Sequence, residues 1–240
     1  MGRASGDRPD RTRHARPPGR RPAARDTVRA ILHRGIVAGT IPGGTRLVQS
    51  RIAEELGVGT GPVRDALGEL ATGGFVRFDA AGVAVVHELS RAELEDLYEI
   101  RKLLEPMATA RAAKYADREA ILKAVGLLAA MERETDGQRW ADHNDGFHSV
   151  IEEAGCGPRL VAILKNLRDL SALYVTHSIV AEPERVRSAR AEHEEILKAV
   201  IAHDPEAAAD AMFRHLDGRL RTLLTVHQVG APSRRRSTAG

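Results

Sequence analysis

The sequence has a single cysteine, Cys156, in 240 residues. That excludes an intramolecular disulfide framework and a multi-cysteine zinc module. Aromatic residues are scarce, at 3%, so any core is built from Leu, Ala, Ile and Val, a palette that favours helices over a sheet sandwich. No apolar run reaches the roughly 18 residues of a membrane span. No apolar h-region follows the basic start, so neither a secretory signal nor a membrane partner is expected, and the expected location is cytoplasmic. What remains is 42% hydrophobic and 29% charged, the composition of an ordinary globular chain long enough for one large or two small domains.

The net charge of +3 is unevenly spread. Residues 1–25 hold eight Arg against Asp7 and Asp10, whereas residues 26–90 hold six Arg against seven acids. An arginine-rich arm beside a folded unit suits a polyanion, and it equally suits a solvated leader. Residues 1–24 read as a disordered arm of Arg, Pro, Gly and Ser without apolar periodicity, and 230–240 as a similar tail.

From Asp26 the pattern becomes helical. Val28, Ile31, Leu32 and Ile36 recur at helix spacing, and Gly39 ends the run. A second helix fits Ser50 to Leu56, stopped by Gly57. Gly59-Thr60-Gly61-Pro62 opens a third, with proline in the first turn, where a missing N–H costs nothing. Its buried face is Val63, Ala66, Leu67 and Leu70. Two short β segments, Phe75–Phe78 and Val83–Val86, flank a turn at Gly82 and read as a hairpin.

Three helices and a hairpin over residues 25–89 describe a winged helix-turn-helix, with the helix-turn-helix itself at about 49–68. Arg64 lies in the first turn of the third helix and points away from its apolar face, where a guanidinium can meet guanine O6/N7 or a phosphate. Arg46, Ser50 and Arg51 fall where backbone contacts are made, the first turn brings Thr60 and Gly61, and Gly82 forms the tip of a wing narrow enough for a minor groove. A winged helix that contacts only protein has the same pattern.

The run Arg46-Leu47, Ile52-Ala53-Glu54-Glu55-Leu56-Gly57-Val58, Pro62-Val63-Arg64-Asp65-Ala66-Leu67 resembles the DNA-binding domain of GntR-family transcription regulators. The resemblance covers residues 26–88 and implies a dimer on a palindromic operator in double-stranded DNA. One departure stands out. The family usually carries Ser-Arg-Thr before Pro-Val-Arg, and this chain has Gly59-Thr60-Gly61. The arginine expected at position 60 is absent, and the arm at 1–24 is a candidate source of the missing charge.

Beyond Leu89 the pattern is almost continuously helical. Ser90-Arg91-Ala92-Glu93 is a capping box, and breaks at Asp117, Asp136, Gly155–Pro158, Pro183 and Asp204-Pro205 divide residues 90–229 into about six helices. The expected fold is thus mainly α: an N-terminal winged helix-turn-helix with a small β-hairpin wing and a C-terminal all-α bundle. Ten histidines invite a metal search. Asn144 and His148 share a helix face. His193 lies on the stripe of Ile196, Leu197, Val200 and Ile201, and His215 on that of Ala208, Ala211, Met212 and Arg219. Three inward imidazoles can converge on a divalent ion, Zn²⁺ or Ni²⁺ among them, or serve as separate core histidines. Arg101 falls on the stripe of Leu94, Leu97, Leu104 and Ala108, where a cation needs a partner. That partner is either Glu105, one turn on, or a small carboxylate.

Tyr98-Glu99-Ile100-Arg101-Lys102-Leu103-Leu104-Glu105-Pro106, Asn144-x-x-Phe147-His148, His193-Glu194-Glu195-Ile196-Leu197 and His215-Leu216 are similar to the FCD ligand-binding domain of the FadR subfamily. The resemblance implies a metal held by Asn144, His148, His193 and His215, with an organic-acid effector completing the coordination and Arg101 gripping its carboxylate. Asn144 stands where Asp is commoner. The rival class is a metal-dependent helical-bundle hydrolase with an accessory winged helix, suggested by His203-Asp204. Asp204 before Pro205 and Glu206 is also a plain helix start.

Overall fold

A computed structural model of the chain describes residues 20–181 and 183–230, with side chains described over 23–172 and 190–225. The proposed arm at 1–19 and the tail from 231 lie outside the described residues. α1 spans Arg20–Val37, so it starts six residues before Asp26 and takes in the end of the segment read as arm. Pro22 falls in its first turn, where proline is tolerated, and Ala23 and Ala24 favour helix. Arg25 then ties the helix to Glu69 at 3.1 Å.

β1 (Arg46–Leu47), α2 (Gln49–Glu55), α3 (Thr60–Thr72), β2 (Val76–Phe78) and β3 (Ala84–Val86) complete the first domain. Val28, Leu32 and Ile36 of α1 pack on Ile52, Ala53, Val63, Leu67 and Leu70, all buried. Gly57 closes α2 at φ +63°, a conformation an L side chain rarely adopts. The wing is organised by Asp79, whose Oδ1 accepts from the N–H groups of Ala81 and Val83. The sheet has three strands in the order β1-β3-β2, all antiparallel, where a two-stranded hairpin was expected. β1 is only two residues long, pairing Arg46 with Val85 and Leu47 with Ala84, too short to leave an alternation in the sequence.

The second domain is a bundle of six helices among the described residues: α4 (Arg91–Tyr115), α5 (Arg118–Arg133), α6 (Gly137–Gly155), α7 (Pro158–Ala181), α8 (Pro183–Ile201) and α9 (Pro205–Gly230). The capping box at Ser90 and Glu93 is formed in both directions, and Asp117, Asp136 and Asp204 cap the next helices as the sequence suggests. Whereas Tyr115 and Phe213 stand exposed, Tyr98, Phe147 and Trp140 are buried with Leu94, Ile151, Ile196, Met212 and Leu216. Burial of each such side chain is worth about 1.5–3 kcal/mol. No helix among the described residues is long and apolar enough to cross a membrane.

α7 joins the two domains. Leu170 packs against the winged-helix core, Asn166 Nδ2 donates to the Gly73 carbonyl at 3.3 Å, and Asp169 meets His33 of α1 at 3.3 Å. The His33 ring in turn sits edge-on to Phe75, with centroids 4.7 Å apart.

Candidate functional site

The structure sets the DNA-facing candidates on an exposed edge of the first domain. Gly59 precedes α3 without a side-chain cap, so the N–H groups of the first turn, Gly61 included, keep their capacity to donate. Arg64 projects from that turn with its side chain 70% exposed, and its nearest acid is Asp65 at 3.8 Å. Ser50, Thr60 and Gly82 converge on one shallow depression formed by the start of α2, the start of α3 and the wing tip. Arg46 is tied to Asp79 at 2.9 Å and braces the wing. Arg51 lies along α2 against Glu55. Neither lines that depression. Arg77, exposed on β2, is a further cation on the wing.

In the bundle, His148 from α6, His193 from α8 and His215 from α9 do converge. One ring nitrogen of each lies within 4.8 Å of the others, and all three residues are buried. The Nε2 atoms of His148 and His193 are 3.3 Å apart. Phe147 packs edge-on against His148 and His193, with centroids 5.5 and 5.0 Å away. His215 Nδ1 contacts the Glu192 carboxylate at 2.8 Å, which fixes the tautomer and turns Nε2 to the cluster. Burial, reinforced by His193 and His215, holds His148 well below the usual imidazole range. Burial and then Arg219 and Arg101 do the same to His215. Neutral imidazole is the metal-ligating form. Asn144 lines the cavity together with His148 and His215, and its buried Oδ1 has no hydrogen-bond partner among the described residues. A buried acceptor without a donor is costly. Three converged imidazoles, of which His148 and His215 are held neutral, and an orphaned amide oxygen therefore fit a divalent cation.

The cavity has a volume of about 450 Å³, within the range of small-molecule sites. Arg101 stands in its wall, 5% exposed. Its Nε and Nη2 reach Glu105 and its Nη1 donates to Ser171 at 2.8 Å, so the pairing one turn along α4 is formed. Arg168 of α7 is a second buried guanidinium, bonded to Glu152, to Ser149 and to Asp145. Burial pushes the Glu152 carboxyl up to about 7 against the pull of Arg168. Tyr98 Oη, also at this cavity, has no hydrogen-bond partner among the described residues. Sequence reasoning missed Glu192, Arg168 and the whole α1 side of the cavity. Glu192 is one acid in the run Glu192-His193-Glu194-Glu195, and nothing local marks which one faces His215.

Residues 96–218 match the FCD domain, and residues 24–85 match the bacterial regulatory proteins of the gntR family. The chain belongs to the GntR-family regulators that carry an FCD domain. It is 28% identical over 197 residues to the transcriptional repressor GlaR of Escherichia coli (strain K12), spanning 77% of this chain and 89% of that protein. It is 30% identical over 148 residues to the gluconate operon transcriptional repressor of Bacillus subtilis (strain 168), spanning 60% of each. The solved structure of E. coli McbR/YncC shares the fold, with a TM-score of 0.74 at 23% identity over 85% of this chain and 98% of that one. For a GntR/FCD regulator the winged helix is the DNA-binding element and the helical bundle the ligand domain.

The residues behind the hydrolase alternative have other work. Asp204 accepts from the Ala207 N–H at 3.0 Å as a helix cap, and His203 Nδ1 lies 2.8 Å from the Ala113 carbonyl. The named relatives are transcriptional repressors, and this chain is a regulator, not an enzyme.

Proposed function

We propose that this regulator binds a palindromic operator as a homodimer and that a small organic acid, held in a metal-containing bundle, modulates its affinity for DNA. The observation that carries this reading is the orphaned Asn144 Oδ1, buried beside three converged imidazoles on a cavity that also holds Arg101. Asn144, His148, His193 and His215 would hold the ion, with Zn²⁺ and Ni²⁺ suited to imidazole. When bound, it supplies a positive anchor for a carboxylate. Glu105 keeps the Arg101 guanidinium at the cavity wall, and Tyr98 Oη offers an unused hydroxyl to a polar ligand. The B. subtilis relative is named for the gluconate operon, and gluconate is a polyhydroxy acid of this kind.

On the DNA side, Arg64 reads a base edge or phosphate from the first turn of α3. Thr60, Gly61 and Ser50 approach the backbone, Gly82 carries the wing, and Arg46 and Arg51 add charge. A dimer presents two such helices to half-sites about one helical turn apart. The effector changes this binding only by favouring one arrangement of the two domains over another.

A mobility-shift titration on DNA from upstream of the regulator's own gene tests the reading, with Zn²⁺-loaded and metal-stripped protein and a panel of small organic acids. Specific retardation that shifts with an acid, and only in loaded protein, is the expected result. Retardation indifferent to metal and to every acid refutes the effector half.

A further inference from the structure

α1 has two working faces. Val28, Leu32 and Ile36 enter the winged-helix core. Ala30, His33, Arg34 and Val37, spaced at i, i+3, i+4 and i+7, line the cavity that also reaches His148 and His215. The ligand chamber is therefore not closed within the bundle: one wall belongs to the DNA-binding domain.

The cations around that chamber other than Arg34 are committed, Arg219 among them. Arg101 bonds Glu105, Arg168 bonds Glu152 and Asp145, Lys165 bonds Asp145 and Asp169, and Arg29 bonds Glu69. Arg34, in the last turn of α1, has no carboxylate partner among the described residues. It lines the chamber from the winged-helix domain, with its side chain exposed. A one-headed acid anchored among the histidines leaves this guanidinium unused, and about 450 Å³ is more room than a two- or three-carbon acid fills.

We infer that the effector carries two anionic groups, one met at the histidine end of the chamber and the other by Arg34 of α1, so that the ligand itself bridges the bundle and the winged helix. This rests on the organic-acid reading above and adds its specificity determinant. A guanidinium and a carboxylate match as a two-pronged pair, and the second contact exists only while α1 stays docked. The bridging acid thus favours the docked arrangement, whereas an acid with one charged end is indifferent to it.

The test is calorimetry on full-length, Zn²⁺-loaded protein with two matched pairs of acids, glucarate against gluconate and succinate against butyrate. In at least one pair the two-headed acid is expected to bind about tenfold more tightly to the wild type, the scale of one charge-assisted contact. Arg34→Ala should bring that ratio to about one while leaving the one-headed acid's affinity unchanged, which also shows the chamber intact. Arg34→Lys should keep part of the ratio. Equal affinities within both pairs, or a ratio that survives Arg34→Ala, overturn the bridge and leave the organic-acid reading standing. Binding of no acid by the wild type overturns both.

Discussion

The side chains assigned to DNA stand in solvent: Arg64 is 70% exposed and Arg51 79%. Those assigned to the ligand do not: His148 and His215 are 2% exposed and His193 is fully buried. The two regions solve opposite problems. An exposed guanidinium keeps its hydration until a phosphate or base replaces water, so the winged helix folds without regard to its target. A buried imidazole has already lost its water, and its charged form is suppressed by that loss. The bundle therefore carries part of its binding cost in the empty state, and a ligand or ion returns it as stability.

The sharpest break of that comparison is a pair of substitutions. His193→Ala should take metal content from about one ion per chain to near zero and abolish Zn²⁺-dependent gain in melting temperature, with operator affinity in metal-free protein unchanged. Arg64→Ala should do the reverse, weakening operator binding roughly 5- to 150-fold for a lost base contact of about 1–3 kcal/mol, with metal content unchanged. Metal analysis and fluorescence anisotropy read the two effects on the same preparations. If either variant moves both quantities alike, the separation of roles is wrong.

Legibility in the sequence follows the same division. Elements whose signals are local could be read: the apolar faces of α1, apart from Ile31, which is exposed, and of α3, the capping box at Ser90, the aspartate caps and the glycine stop after α2. The three histidines were readable as candidates, His193 and His215 from the stripes of their helices and His148 from the face it shares with Asn144, while their convergence was implied by the family resemblance. What escaped was set by packing. β1 is two residues long and exists only because β3 lies beside it. Arg168 became a wall of the chamber because α7 carries Ser171 and Asp169 on one side and meets α6 through Asp145 and Glu152. The α1 wall requires the docking of two domains, and no periodicity within α1 announces it. The start of α1 was placed late because Arg20-Arg21-Pro22 shares the composition of the arm before it.

Acidification sharpens the contrast at a smaller scale. His148 and His215 are held below the ordinary imidazole pKa of about 6.5. Above that pH neither the folded nor the unfolded chain takes up a proton there, and stability is flat. Below it the unfolded chain gains protons that the folded bundle refuses, so stability falls as pH falls, by up to about 1.4 kcal/mol per pH unit for each histidine. Urea unfolding of metal-free protein between pH 7.5 and 5.5 should show the midpoint dropping across the lower half of that range. The buried Glu152 carboxyl, raised to about 7, takes up a proton over the same range and works in the opposite direction, so a midpoint that rises on acidification even in Glu152→Gln means that the imidazoles are charged inside the fold.

The smallest effect concerns the joint between the regions. Asp169 is buried on α7. Burial alone raises its carboxyl, yet the hydrogen bond from His33 and the Lys165 ammonium outweigh it and leave the group below its ordinary pKa. His33→Ala removes the contact supplied by the winged helix but leaves Lys165 in place, so Asp169 stays ionised and paired. The bundle should keep its metal affinity, and the chain should lose about 1 kcal/mol of stability, the worth of one hydrogen bond. The informative quantity is the coupling between acid and operator. With the His33–Asp169 contact gone, α1 is held to α7 by fewer bonds, and an acid bound in the chamber has less purchase on the DNA-reading helix. The change in operator affinity produced by a saturating acid should therefore shrink in His33→Ala by about fivefold, the factor that 1 kcal/mol represents. An undiminished response would mean that the two domains communicate without the His33–Asp169 contact, through Asn166–Gly73, Leu170 and the acid's own bridge to Arg34.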